Sequence, residues 1–163
     1  MRYIIFILLF IGCSKVKNTE ETQKVSVKDF TISESISGNK NWILFADSAI
    51  VKDTSYIIYG VRLNFLSENK DTISKLFSDS GVVFENSGNL TALSNVKVIL
   101  SDTIKIFSDS LKWDNKSGKI IIEGNFKYIS MSEEIEGEGM ESDRFLKEVV
   151  IKKRIKGKGE YKR

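Results

Sequence analysis

The 163-residue chain has no histidine and one cysteine, Cys13. Imidazole acid–base chemistry, Ser-His-Asp and Cys-His triads and zincin-type metal sites are therefore excluded. With a single thiol, no disulfide forms within the chain. Long apolar runs are also missing. The stretch from Tyr3 to Ile11 covers nine residues, too few to span a bilayer. Between residues 42 and 145 no segment places apolar residues at helical spacing over the roughly ten residues that a helix requires. Charge is nearly balanced, and the net +3 is too small to argue for nucleic acid.

What is present is repetition. Phe45-Ala46-Asp47-Ser48, Phe77-Ser78-Asp79-Ser80 and Phe107-Ser108-Asp109-Ser110 share one pattern. Weaker echoes at Ala92-Leu93-Ser94-Asn95-Val96 and Ile122-Glu123-Gly124-Asn125-Phe126 bring the third motif position to residues 79, 94, 109 and 124. A period of 15 residues fits one strand and one turn and is too short for a strand plus a crossover helix. Strict alternation predicts that Phe77, Asp79, Gly81 and Val83 share one side. It groups Phe45, Asp47, Ala49 and Val51 in the same way, and likewise Phe107, Asp109, Leu111 and Trp113. Ser67 to Asp71, Glu85 to Asn89, Ser101-Asp102 and Asp114 to Gly118 supply the Asn, Asp, Ser and Gly that chain reversals use. With a further strand over residues 57–65, the prediction is an all-β domain of roughly eight to ten antiparallel strands with little helix.

At the N-terminus, Met1-Arg2 and the apolar run read as a lipoprotein signal peptide over residues 1–12. The ending Leu9-Phe10-Ile11-Gly12-Cys13 resembles a bacterial lipobox, although Phe10 replaces the usual leucine. Cys13 is thus the expected lipidation site, where acyl chains would anchor the protein at about 0.8 kcal/mol per buried methylene. Residues 13–28 then form the anchor and a polar flexible tether. One folded domain is expected over residues 29–151, followed by a basic, disordered tail over 152–163.

The remaining candidates for chemistry are Asp47, Asp79 and Asp109. On alternate strands they would lie about 9 to 10 Å apart, within reach of an inverting glycosidase pair or a calcium site. Their even repetition favours a simpler role, in which each sits near a strand end and accepts backbone N–H bonds. Gly137-Glu138-Gly139 lacks the third glycine of a phosphate loop. No catalytic residue, metal or cofactor is expected.

The order of Asn41-Trp42-Ile43-Leu44-Phe45-Ala46, Leu90-Thr91-Ala92-Leu93-Ser94-Asn95-Val96, Asp109-Ser110-Leu111-Lys112-Trp113-Asp114 and Ile135-Glu136-Gly137-Glu138-Gly139-Met140-Glu141-Ser142-Asp143 resembles the LptC family of lipopolysaccharide export proteins. The resemblance covers residues 30–151 and implies an open, V-shaped, taco-like β-jelly roll. It further implies a non-enzymatic role in which the interior accepts lipopolysaccharide acyl chains from the inner-membrane ABC transporter subunits. These would pass to a periplasmic, LptA-like bridge protein of the same fold. Candidate lining residues are Phe77, Val83, Val96, Val98, Phe107, Leu111, Ile122 and Phe126. Gly137 and Gly139, carried over from the family motif, mark the expected joint with the bridge protein, within residues 135–151. A periplasmic protein lipid-anchored at the inner membrane is expected. Ser14 after the cysteine favours the outer membrane by the usual sorting rule. Two rival readings stay open: a structural or adaptor lipoprotein with a closed β-sandwich, and an aspartate-based hydrolase.

Overall fold

The computed structural model describes residues 25–36, 39–100 and 103–159; Cys13 and the tether before residue 25 lie outside them. Among these residues there is no helix. Nine strands follow one another: β1 (Ser26–Ile36), β2 (Asn39–Val51), β3 (Ser55–Leu66), β4 (Thr72–Phe84), β5 (Leu90–Leu100), β6 (Ile104–Asp114), β7 (Lys119–Ile129), β8 (Glu133–Asp143) and β9 (Val149–Gly159). They pair in chain order, every pair antiparallel, as one sheet with β1 and β9 at its edges. The all-β, open, jelly-roll architecture expected from the sequence is the one observed.

The repeat marks a crease across this sheet. Near the middle of each strand the ladder is interrupted, and the breaks line up from strand to strand. Between β5 and β6 the residues Ser94 and Asn95 oppose Asp109 alone; between β7 and β8 the residues Glu123 and Gly124 oppose Gly139. Ser94 and Asn95 take left-handed φ values of 63° and 51°, and Gly60 and Gly139 take 65° and 75°. An extra residue on one strand bends it and increases its twist. The Ser-Asp-Ser motif fixes the bend. Ser78 Oγ donates to the Ser80 carbonyl at 2.8 Å, and Ser108 Oγ donates to the Ser110 carbonyl at 2.9 Å, each arching over the intervening aspartate. In the first copy, Ala46 has no hydroxyl. There the Asp47 carboxylate lies against Gly60, where an added Cβ would come within 2.0 Å of it.

The crease lets the sheet fold over itself, and the two layers enclose the core. Trp42 from β2 and Trp113 from β6 line one crevice of this interior, with the Phe65 and Trp113 ring centroids 4.6 Å apart. Asn115, in the β6–β7 turn, clasps the layers. Its Oδ1 accepts from Trp42 Nε1 at 2.9 Å, while its Nδ2 donates to Glu34 Oε1 and to the Ser87 carbonyl. Gly88 leaves room for this clasp, since a Cβ there would stand 2.7 Å from Asn115 Nδ2. A second tie runs from Ser74 Oγ to the Arg144 carbonyl, 2.8 Å away.

Two expectations need correction here. The alternation does not run unbroken through each repeat: on β4 Leu76 and Ser78 face inward before the crease, and Gly81 and Val83 after it. The step of three residues between Ser78 and Gly81 reverses the phase. The tail expected to be disordered beyond residue 151 continues as β9 through Gly159, paired with β8. Its lysines are held opposite the β8 glutamates, as in Glu136 with Lys156 and Glu138 with Lys153, and unlike charges directly opposite stabilise a strand pair.

Candidate functional site

Cross-strand partners share a face of an antiparallel sheet, so the register traces which residues line up across it. On the inner face one row runs through Ile32, Leu44, Leu63, Leu76, Val98, Ile106, Tyr128 and Ile135. On the other side of the crease a second row contains Val27, Ala49, Ile58, Gly81, Ala92 and Leu111, and continues through Ile122, Met140 and Ile151. These are two apolar tracks: the first crosses from β1 to β8, where Gly157 of β9 stands opposite Ile135, and the second crosses all nine strands. Seven strand spacings make the first about 34 Å long, and eight make the second about 38 Å.

In the middle of the sheet the tracks are buried against each other; at the edges they surface. Leu44, Leu63, Leu76, Val98 and Ile106 are fully buried, whereas Ile32, Tyr128, Ile135 and Ile151 are only partly covered and Val27 is 38% exposed. The crevice between Trp42, Leu44, Leu63, Val83, Leu90 and Trp113 has no room for a water molecule. Its walls touch and fill the space with the protein's own side chains. Trp113 Nε1 is buried there with no hydrogen-bond partner among the described residues, a cost of about 1–3 kcal/mol that the surrounding packing must offset.

Of the residues expected to line the interior, Val83, Val96, Val98, Leu111, Ile122 and Phe126 are buried on the inner face. Phe77 and Phe107 are not. Phe77 pairs with Arg62 and Lys97, and Phe107 with Lys97 and Lys127, on the opposite face. The correction has the same cause as above, the phase reversal at the crease. Sequence reasoning also missed Trp42, Leu44, Leu63, Leu76 and Ile106 as inner residues; the β-alternation before each repeat would have found them had it been read separately from the alternation after it.

The aspartates are not strand-end caps. Asp47, Asp79 and Asp109 lie within β2, β4 and β6, on the crease. Asn95 Nδ2 donates to Asp79 at 2.7 Å, and Arg62 lies 3.9 Å from Asp47 in an exposed ion pair. Among the described residues no group of three or more histidine, cysteine or acidic side chains is arranged to hold a metal.

The glycines expected at a joint do not lie at a sheet edge. Gly137 and Gly139 belong to β8, which is hydrogen-bonded to β7 on one side and to β9 on the other. Residues 133–143 therefore form an interior strand, and among the described residues the C-terminal edge strand is β9. Gly139 serves the crease instead: at φ 75° its missing Cβ would lie 3.1 Å from the Lys152 side chain. Charge knits this end of the sheet. Lys119 donates to Glu141, and Lys152 approaches the same carboxylate at 3.3 Å. The hydrogen bonds from these two lysines hold the Glu141 carboxyl below its ordinary value, and the bond from Lys112 does the same for Glu123. Lys119 and Lys127 are raised by their bonds to Glu141 and Glu134. At the opposite end Tyr56 is raised, first by burial and then by the nearby Glu85.

No curated protein matches the chain. Among solved structures it is similar to the crystal structure of LptH, the LptA homologous periplasmic component of the conserved lipopolysaccharide transport device from Pseudomonas aeruginosa. The two share 10% identity over 84% of this chain and 94% of that one, with a TM-score of 0.35. The family described as OstA-like protein matches residues 61–147, from the second half of β3 to the loop before β9. More than half of the sequence falls within that match, and the chain belongs to the OstA-like protein family.

Proposed function

We propose that the protein is a periplasmic component of lipopolysaccharide export, of the LptC type, held at the membrane by acyl chains on Cys13. Its folded sheet accepts lipopolysaccharide acyl chains between the two apolar tracks. It passes them from the inner-membrane ABC transporter subunits to a periplasmic bridge protein of the same fold. Membership of the OstA-like family supports this reading. The observation that carries it is the pair of apolar rows across the sheet, whose end residues Ile32, Val27, Ile135 and Ile151 are partly uncovered. The chemistry is burial alone. Each methylene moved from water into such a track contributes about 0.8 kcal/mol, and no bond is made or broken. Because the middle of the interior is filled, chains enter at the edges and the layers part to admit them further. The β9 edge, unpaired among the described residues, offers backbone groups to which a strand of the bridge protein adds, extending the apolar interior across the seam.

Photocrosslinking in cells tests this. A crosslinking residue at Phe126 or Ile135 on the inner face is expected to form adducts with lipopolysaccharide, and one at Phe107 on the outer face is expected to form none. Absence of adducts at both inner positions, in protein that folds, would remove the transport role and favour an adaptor.

A further inference from the structure

Opposite the crease, the strand ends of one layer meet those of the other along a seam. One margin carries the row Trp42, Phe65 and Ser74. The other carries Val83, Leu90, Trp113, Ile120 and Ser142, two residues beyond the second track and therefore about 7 Å further from the crease. Three contacts close the seam: the hydrogen bond of Trp42 to Asn115, that of Ser74 to the Arg144 carbonyl, and the packing of Phe65 on Trp113.

Among the described residues the buried polar side chains are satisfied with one exception. Trp42 Nε1 donates to Asn115, and Ser74, Ser78 and Ser142 each donate to a backbone carbonyl. Trp113, only 3% exposed, has no acceptor for its Nε1. Water does not supply one, because the crevice that Trp113 lines has no room for it. No charged side chain lines that crevice, so an anion arriving there would lose its hydration with no cation to replace it. An indole N–H is a donor only. What fits is a neutral acceptor carried on apolar matter that takes the place of the displaced packing.

We propose that Trp113 Nε1 is the donor for the ester carbonyl that joins a fatty chain to its head group. The assignment rests on acyl-chain entry between the layers, as proposed above, and adds the residue that positions the chain there. As the seam parts, the methylenes lie along the second track and the head group stays in water outside. The carbonyl then sits between them, level with Trp113, and satisfies the donor that the closed interior leaves bare. Chains that bring a carbonyl to this place are favoured over equally apolar chains that lack one.

The experiment follows the indole N–H resonances of isotope-labelled full-length protein in dodecyl maltoside, a detergent without a carbonyl. The chain has two tryptophans, so Trp113→Phe assigns both by the peak it removes, while it keeps an aromatic ring in the crevice. The probes are lipopolysaccharide, a phosphorylated glucose carrying myristoyl esters, and its counterpart carrying tetradecyl ethers. Lipopolysaccharide and the ester are expected to move the Trp113 resonance downfield, as a new hydrogen bond does, and the ether to leave it in place. The ester should bind the native protein about fivefold tighter than the ether, and Trp113→Phe should bind the two equally. Binding of lipopolysaccharide with the Trp113 resonance unmoved would overturn the assignment and leave acyl-chain transport standing. The same ester preference in a Trp113→Phe protein that circular dichroism shows to be folded would do so too. Should that variant not fold, the resonance in the native protein decides. No binding of any probe would overturn both readings.

Discussion

The two ends of the sheet are held by different forces. At the N-terminal end, β2 and β3 fold over the middle strands, and the contact is a buried indole with a side-chain amide that ties three segments together. At the C-terminal end, β8 and β9 are joined by alternating glutamates and lysines that remain largely in water. Burial of apolar surface is insensitive to pH and strengthened by salting-out conditions, while exposed ion pairs weaken as salt screens them. One end is therefore a fixed hinge of the fold, and the other is an edge whose hold depends on its ionic surroundings.

The largest effect is expected from breaking the fixed end. Trp42→Ala should cost about 3–5 kcal/mol, as large-to-small changes in a packed core do, read as a fall in the urea midpoint. A loss below about 1 kcal/mol would show that the clasped layers are not the centre of stability. Asn115→Ala should cost less, about 1–3 kcal/mol, because it leaves the Trp42 indole N–H without its acceptor. Amide exchange should then quicken in β1 and in the turn around Gly88 and stay unchanged in β8 and β9. Uniform acceleration would argue against a local clasp.

The smallest effect concerns the charged edge, and its sign follows from the depressed carboxyl. Glu141, bonded to Lys119 of β7 and Lys152 of β9, titrates lower when folded, so its contribution is complete above the ordinary value of 4.5 and is lost as pH falls through the folded value. Amide exchange in β9 should therefore rise on acidification below about 4, or in about 1 M salt, before β5 and β6 respond. Simultaneous opening of all strands would sink the distinction between the two ends.

Much of this was legible in the residues. Turns rich in Asn, Asp, Ser and Gly fell where the chain reverses, and the 15-residue repeat gave the strand count and the absence of helix. Inner residues on β5 and β7 were also found, because Ala92 to Val96 and Ile122 to Phe126 cross the crease in four residues and keep their phase. On β2, β4 and β6 the crossing takes three, as from Ala46 to Ala49, and the phase reverses. That reversal sent Phe77 and Phe107 to the wrong face. Alternation is a local rule; it cannot register a bulge unless the bulge itself is recognised. The role of β9 was hidden for another reason. A run of lysines looks solvated in isolation, and only the register shows that glutamates stand opposite.

The crease has one more consequence, for how such a molecule grows. Each pair of strands brings its own bend at the same height, with its own serine or glycine to hold it. A duplicated hairpin of about thirty residues, appended at either margin, would arrive already curved to match its neighbour. Lengthening the conduit thus asks for no redesign of what is already there.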